Sequence, residues 1–476
     1  MLPVIPYPQR VVEDGRTVTL AATISDELYP RAAASMREFA RRAHGIELTA
    51  STDAAIRFAY SVALPDEVYT LKIDESGAVI TASSCLGAQN AVATLLQLVR
   101  REGDGFTAPA CLIFDYPECS WRGISVDLAR GWHDVSMLYE YVDLCYFFKI
   151  KSLQLHFTDD QSYTLPSAVL PKLSTPGRHY TVEELKGLIA YADSRDVKLI
   201  PEIDAPGHCK PFNEQYPEIF GIDGVIHHTE KSIKALEALY AELCELFESS
   251  DYVHVGGDEA AVDNWLKCPS TLDTYRAAGM NVDAMEPAHL KQIIYAIFVA
   301  RMCNAVTACG KTPVVWEGFG PLFNHMIPRN VVVMSWENFY QTTPDLIKAG
   351  FRVVNCSWRP MYVVSPVALR PVREVYDWDV YSWTPVHPYS PYIESGLKVE
   401  PTLQIEGGQL LAWGDFLTEK FASVEIGVRY EQERVEERAP MLAENTWHRV
   451  KVSDYDEFME RYRTVYGLYR TLRETK

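Results

Sequence analysis

The chain has 476 residues, 47% of them apolar, enough for two domains with sizeable cores. Its 45 lysines and arginines stand against 64 aspartates and glutamates, a formal charge of −19 that repels phosphate backbones and anionic lipid. Nucleic acid and membrane surfaces are therefore poor partners, while a neutral ligand stays open.

Met1-Leu2-Pro3-Val4-Ile5-Pro6 lacks the basic, apolar and small-residue zones of a secretory leader, and no apolar run is long enough for a bilayer. Both set the expectation of a cytoplasmic protein. The ten cysteines are scattered singly and read as reduced, mostly buried small hydrophobes rather than a zinc or disulfide framework. Residues 1–116 read as a small α/β domain. Tyr69–Ile73 alternates like a strand, Glu75-Ser76-Gly77 is a turn signal, Ala78–Ala82 is a second strand, and Leu86–Val99 has helical spacing. Asp115-Tyr116-Pro117 marks the boundary.

Residues 117–476 follow a different pattern. Strand-like runs appear at Gly123–Leu128, Ser152–Thr158, Val197–Ile203, Tyr252–Val255, Pro313–Trp316, Val331–Trp336, Phe351–Cys356 and Gln409–Trp413. Helical patterns at Met137–Phe148, Val182–Arg195, Ser232–Glu248 and Pro287–Ala308 fall between them, and two more follow at Ser423–Ala443 and Asp454–Arg473. Consecutive apolar residues within several runs fit strands buried on both faces. Strand and helix in alternation, eight times over, predict an α/β fold with a closed (β/α)8 TIM barrel after the small domain. An open doubly wound sheet is the alternative, but no glycine-rich phosphate loop follows an early strand.

Catalytic groups in such a barrel sit at the carboxyl ends of the strands. There the sequence places Asp127 and Arg130, then His156 and Asp159-Asp160, then Glu202, Asp204 and His208, then His254 and Asp258-Glu259. Trp316, Trp336 and Trp413 end three further strands, and Trp358 and Tyr362 follow the seventh. Carboxylates, histidines, an arginine and indoles together suit a sugar, whose C–H faces pack on indole while its hydroxyls take forked donors and carboxylate acceptors. Glycoside hydrolysis needs a proton donor and a group that stabilises the positive charge developing on the ring. Glu259 and Asp258 are the natural pair, because Gly256-Gly257 lets the backbone turn so that both side chains reach one pocket. As an acid Glu259 needs a raised pKa, which desolvation beside the indoles is expected to supply.

His254-Val255-Gly256-Gly257-Asp258-Glu259 resembles the signature of glycoside hydrolase family 20, the β-N-acetylhexosaminidases. Arg122-Gly123 with Asp127–Arg130, Leu155–Gln161, Pro201–His208 and Gly407–Asp415 resemble that family's other barrel strands in order, and Tyr69–Val99 resembles its preceding domain. The stretch 366–406 resembles it least. The resemblance implies a retaining exo-glycosidase acting on a terminal β-linked N-acetylhexosaminide of an oligosaccharide or glycoconjugate. In that mechanism the substrate's acetamido oxygen is the nucleophile and forms an oxazolinium. It implies Glu259 as acid and base, Asp258 orienting the acetamido group, and Tyr362 bonding its carbonyl. It further implies Arg130 gripping far hydroxyls, Trp316, Trp336 and Trp413 enclosing the methyl and flooring the ring, and Asp159, His156 and His208 as a polar relay behind Glu259. No metal or cofactor is implied, and an oligomer is compatible.

Two positions depart from the family's pattern. Val364 stands where an Asp or Asn is usual two residues after the tyrosine, and Asp415 replaces a Glu in Trp-x-Glu. In the family both positions face O4 and O6 of the terminal sugar, so a looser choice between gluco and galacto epimers, or more room at O6, is expected. Arg122, Trp121, Trp132, Trp378 and Trp447 read as structural, and His133 and His227-His228 as surface residues. Two other function classes stay open. One is a metal-dependent hydrolase using His156, Asp159, His208 and His254. The other is a silent sugar-binding protein, against which the intact Asp258-Glu259 pair argues.

Overall fold

The computed structural model describes residues 1–364 and 366–475. The N-terminal domain is a mixed sheet. Its long strand Gly105–Asp115 pairs antiparallel with both Arg10–Leu20 and Tyr69–Asp74. Tyr69–Asp74 forms a hairpin with Gly77–Ala82. Gly77 closes that turn at φ 118°, and a Cβ there would lie 2.3 Å from the carbonyl oxygen of Ala55. Helix Cys85–Leu98 starts at Ser84, whose hydroxyl accepts the N–H of Gly87. It is buried almost all round, because it lies between this sheet and the barrel and packs beside helix Pro30–His44.

The barrel strands are β1 (Trp121–Asp127), β2 (Ser152–His156), β3 (Lys198–Glu202), β4 (Tyr252–His254), β5 (Thr312–Trp316), β6 (Val332–Ser335), β7 (Arg352–Asn355) and β8 (Ile405–Trp413). Each pairs parallel with the next, and β8 closes onto β1. The strands match the expected runs to within a residue or two, except that β8 begins four residues before Gln409. The Gly407-Gly408 pair is not a break. Gly407 sits so close to β1 that a Cβ would lie 1.8 Å from the carbonyl oxygen of Trp121, and the strand passes through an irregular register there. Past Asn355 the chain leaves β8 and returns as the short strand Tyr362–Val364, paired with Leu411–Trp413. That second pairing puts Tyr362 and Val364 at the barrel mouth.

Register aligns the polar strand ends. Asp127 lies opposite His156, His156 opposite Glu202, and Glu202 opposite His254, so four neighbouring strands carry titratable groups at one level.

Buried charge joins the domains. Asp115 accepts hydrogen bonds from the Lys149 ammonium at 3.1 Å, the Tyr69 hydroxyl at 2.5 Å and the Trp447 indole at 2.7 Å. Arg122 reaches the carbonyl oxygens of Cys119 and Lys149 and the carboxylate of Glu67, a structural role. The last helix, Tyr455–Glu474, packs on Pro30–His44. His133 and His228, expected at the surface, are buried. His133 bonds the carbonyl of Gly131, and His228 takes the Tyr275 hydroxyl at 2.6 Å inside a cluster with Trp265 and Phe298.

Candidate active site

β4 runs directly into the Gly256-Gly257 turn, where φ is 72° and 99°. At Gly256 a Cβ would lie 1.7 Å from Asp204 Oδ1, so only glycine fits. The N–H of Gly257 donates to that same oxygen at 3.1 Å, and the Tyr295 hydroxyl donates to the carbonyl of Gly257. Glu259 follows at φ 43°, a left-handed backbone that costs a non-glycine residue about 1–3 kcal/mol. This turn brings adjacent side chains, which a flat strand sends to opposite faces, into one cavity of about 190 Å³.

Arg130, His156, Asp159, His208, Asp258, Glu259, Trp336, Tyr362, Trp413 and Asp415 all line this cavity. Trp316 does not. It lies below, 1% exposed, donating its indole N–H to Glu202 at 2.7 Å and packing on His254 and Trp413. It supports the floor rather than forming it, since Trp316 pairs in register with Met334, two residues short of Trp336. The cavity also takes Asp204, Trp358 and Val364, and Phe416, which nothing in the sequence marked. Trp358 has a legible signal, lying four residues before Tyr362 and stacking on it at 5.4 Å. Trp336 stacks on the same tyrosine at 6.3 Å, and Trp413 closes the box at 6.2 Å.

Two histidine–carboxylate chains run behind the cavity. His208 places Nδ1 3.2 Å from Asp159 and Nε2 3.6 Å from Glu259. His156 places Nε2 3.1 Å from Asp159 and Nδ1 2.9 Å from Glu202. Arg130 donates to Asp127 at 2.9 Å and Asp159 at 2.8 Å, lies 4.0 Å from Asp415, and rests over the Trp413 ring. Burial pushes the Asp159 carboxyl up, but hydrogen bonds from both histidines outweigh it and hold it well below the usual range. Burial disfavours charge on His208 as well, yet its bonds to Asp159 and Glu259 raise its pKa well above the ordinary value.

Asp258 is pushed up to about 6, first by burial and then by the charge of Glu259. Its Oδ1 is buried and has no hydrogen-bond partner among the described residues. Asp204 beside it is raised well above the usual range by burial and by Asp258. Glu259 corrects the sequence expectation. Its side chain is 52% exposed, and the adjacent His208 imidazole, 3.6 Å away, holds its carboxyl below the ordinary value. Burial raises it, but less than the neighbouring His208 lowers it.

The four residues weighed as metal ligands do not converge. His156 lies between Asp159 and Glu202 and His208 between Asp159 and Glu259, while His254 turns to Glu202 beneath the floor. The carboxylate-rich groups that do approach one another are His156, Glu202 and Asp204, and Asp204, His208 and Asp258.

The chain matches two family descriptions, "Glycosyl hydrolase family 20, domain 2" over residues 1–116 and "Glycosyl hydrolase family 20, catalytic domain" over residues 119–450. It is 25% identical over 413 residues to human beta-hexosaminidase subunit beta, covering 83% of this chain and 69% of the human protein. It is 30% identical over 336 residues to a beta-hexosaminidase of Akkermansia muciniphila, covering 64% of this chain and 66% of that protein. Its fold superposes at a TM-score of 0.82, with 23% identity, on an exo beta-N-acetylglucosaminidase from Vibrio harveyi solved with N-acetylglucosamine, covering 99% of this chain and 78% of that one. A closed parallel barrel with Asp258 and Glu259 at its mouth, behind the domain that precedes such barrels, makes this chain a member of glycosyl hydrolase family 20.

Proposed function

We propose that the chain is a retaining exo-β-N-acetylhexosaminidase working by substrate assistance. The observation that carries this reading is the buried, unpartnered Oδ1 of Asp258 beside the Glu259 carboxyl. An unmet buried acceptor costs about 1–3 kcal/mol, and an acetamido N–H is the donor that fits it. A cavity of about 190 Å³ holds roughly six waters at ~30 Å³ each, room for one terminal sugar.

In this reading the terminal ring lies on Trp413 with its far hydroxyls toward Arg130 and Asp415. The acetamido group enters the box of Trp336, Trp358 and Tyr362, where the Tyr362 hydroxyl donates to its carbonyl oxygen and Asp258 accepts its N–H. The acetamido oxygen bonds to the anomeric carbon as the bond to the leaving oxygen breaks. Glu259 delivers the proton to that oxygen, and His208 holds a proton 3.6 Å from Glu259. Asp258 balances the positive charge of the oxazolinium. Water, deprotonated by Glu259, then opens the ring from the face the leaving group vacated, with net retention. Two carboxylates flank the scissile bond, but neither is required as a nucleophile.

The deciding experiment follows the anomer released from terminal β-N-acetylglucosaminides and galactosaminides by NMR. β-Product with no turnover of plain β-glucosides supports the reading, whereas a glycosyl ester trapped on a protein carboxylate defeats it. Glu259→Gln is expected to lose about 10²–10⁴-fold on substrates with poor leaving groups while still binding them.

A further inference from the structure

Glu317, 1% exposed, follows Trp316 at the end of β5 and has no part in the reaction as drawn above. Its Oε1 accepts the backbone N–H groups of Phe339 at 2.6 Å and Tyr340 at 3.2 Å. Its Oε2 accepts those of Trp336 at 3.2 Å and Asn338 at 2.9 Å, and the Ser335 hydroxyl at 3.1 Å. Asn338 turns the chain at φ 53°, a left-handed backbone that lets successive N–H groups converge on one anion. The main chain of Glu317 then holds the same tryptophan a second time, its carbonyl accepting the Trp336 indole N–H at 3.2 Å. One residue thus fixes Trp336 by both backbone and ring. Neither can move without leaving a buried donor unmet.

The same residue is tied to the turn that carries Asp258. The Trp316 N–H before it donates to the carbonyl of Gly256 at 2.9 Å. At Gly318 after it, a Cβ would lie 1.9 Å from the carbonyl oxygen of Gly257. On the other side, the Trp336 carbonyl accepts the N–H of Trp358 at 3.4 Å. Glu317 therefore sets the spacing between the Asp258 turn and two walls of the box formed by Trp336, Trp358 and Tyr362. Walls pinned through their backbone do not retreat before a longer acyl chain.

We propose that Glu317 is a positioning residue that fixes the depth of this box through Trp336, and so restricts the N-acyl group of the substrate to acetyl. This rests on the reading of the box as the acetamido site. The test compares kcat/KM for aryl β-glucosides carrying N-acetyl and N-propionyl groups. Both are measured on one preparation, so any loss of folded protein cancels in the ratio. One extra methylene in a closed pocket is discriminated by about 10–200-fold, and the wild-type ratio of acetyl over propionyl is expected in that range. In Glu317→Gln an amide N–H group faces the donors of the loop, Trp336 is released, and the ratio is expected to fall below about threefold. Glu317→Asp keeps the charge but stops one methylene short of the donors, so an intermediate ratio is expected; it carries the test if the glutamine variant does not fold. A wild-type ratio near one, or a wild-type ratio retained in the folded variant, overturns the role of Glu317, while turnover of the N-acetyl substrate leaves the proposed function standing. Absence of that turnover in the wild type removes both.

Discussion

His208 Nε2 lies 3.6 Å from Glu259 Oε2, with the opposite ring nitrogen on Asp159. The pair shares its proton unevenly, since His208 is raised well above its ordinary pKa and Glu259 is lowered. The proton needed for the leaving group is therefore stored on the imidazole and lost only as pH rises through the raised value. The alkaline limb of kcat/KM is expected above the ordinary histidine value of about 6.5. In His208→Gln only Glu259 remains to carry the proton, so that limb moves to lower pH. A limb unmoved by the substitution would sink the assignment of the store.

In the proposed mechanism Asp258 acts in its charged form, and burial pushes its carboxyl up to about 6. A raised carboxyl loses its charge as pH falls through the raised value, so kcat/KM is expected to drop below about pH 6. Asp258→Asn removes both most of the rate and this acid limb. A thiazoline mimic of the cyclised intermediate should also bind this variant more weakly. An acid limb retained in Asp258→Asn points to another group.

Val364 lies in the sugar cavity, 5% exposed, on the same short strand as Tyr362. It offers no hydrogen-bond acceptor there, which leaves Arg130 and Asp415 for O4. Losing one such contact costs about 0.5–1.5 kcal/mol. The wild type is expected to separate gluco and galacto epimers weakly, and Val364→Asp to widen the gap by roughly threefold to tenfold. Strong selectivity in the wild type, unchanged in the variant, would count against this.

Asp115 is fully buried and meets the Lys149 ammonium between the two domains. Removing one partner of a buried pair strands the other, at about 3–5 kcal/mol. Asp115→Ala is expected to lose that much in denaturant unfolding, whereas Asp14→Ala, at an exposed surface pair with Arg16, should leave stability unchanged. Equal effects would show that the pair does not hold the domains.

The barrel was legible in the chain because its evidence is local. Apolar strands alternate with helical periods, and Gly256-Gly257 before Asp258-Glu259 announces a turn that only glycine allows. Ten of the eleven proposed site residues meet in one cavity because they sit at or in the loops after the carboxyl ends of the strands, a position that sequence order reveals. Depth and protonation were decided elsewhere. Whether a tryptophan faces the cavity, like Trp336, or props it up, like Trp316, depends on where its strand ends in the barrel. The low pKa of Glu259 depends on His208, which arrives from a loop 51 positions away in the sequence. Glu202 binds His156, His254, Gln154 and Trp316 only after four strands have met in register. Periodicity records which face of an element is buried; which side chains meet across a closed barrel, and what charge they then keep, follows from long-range packing.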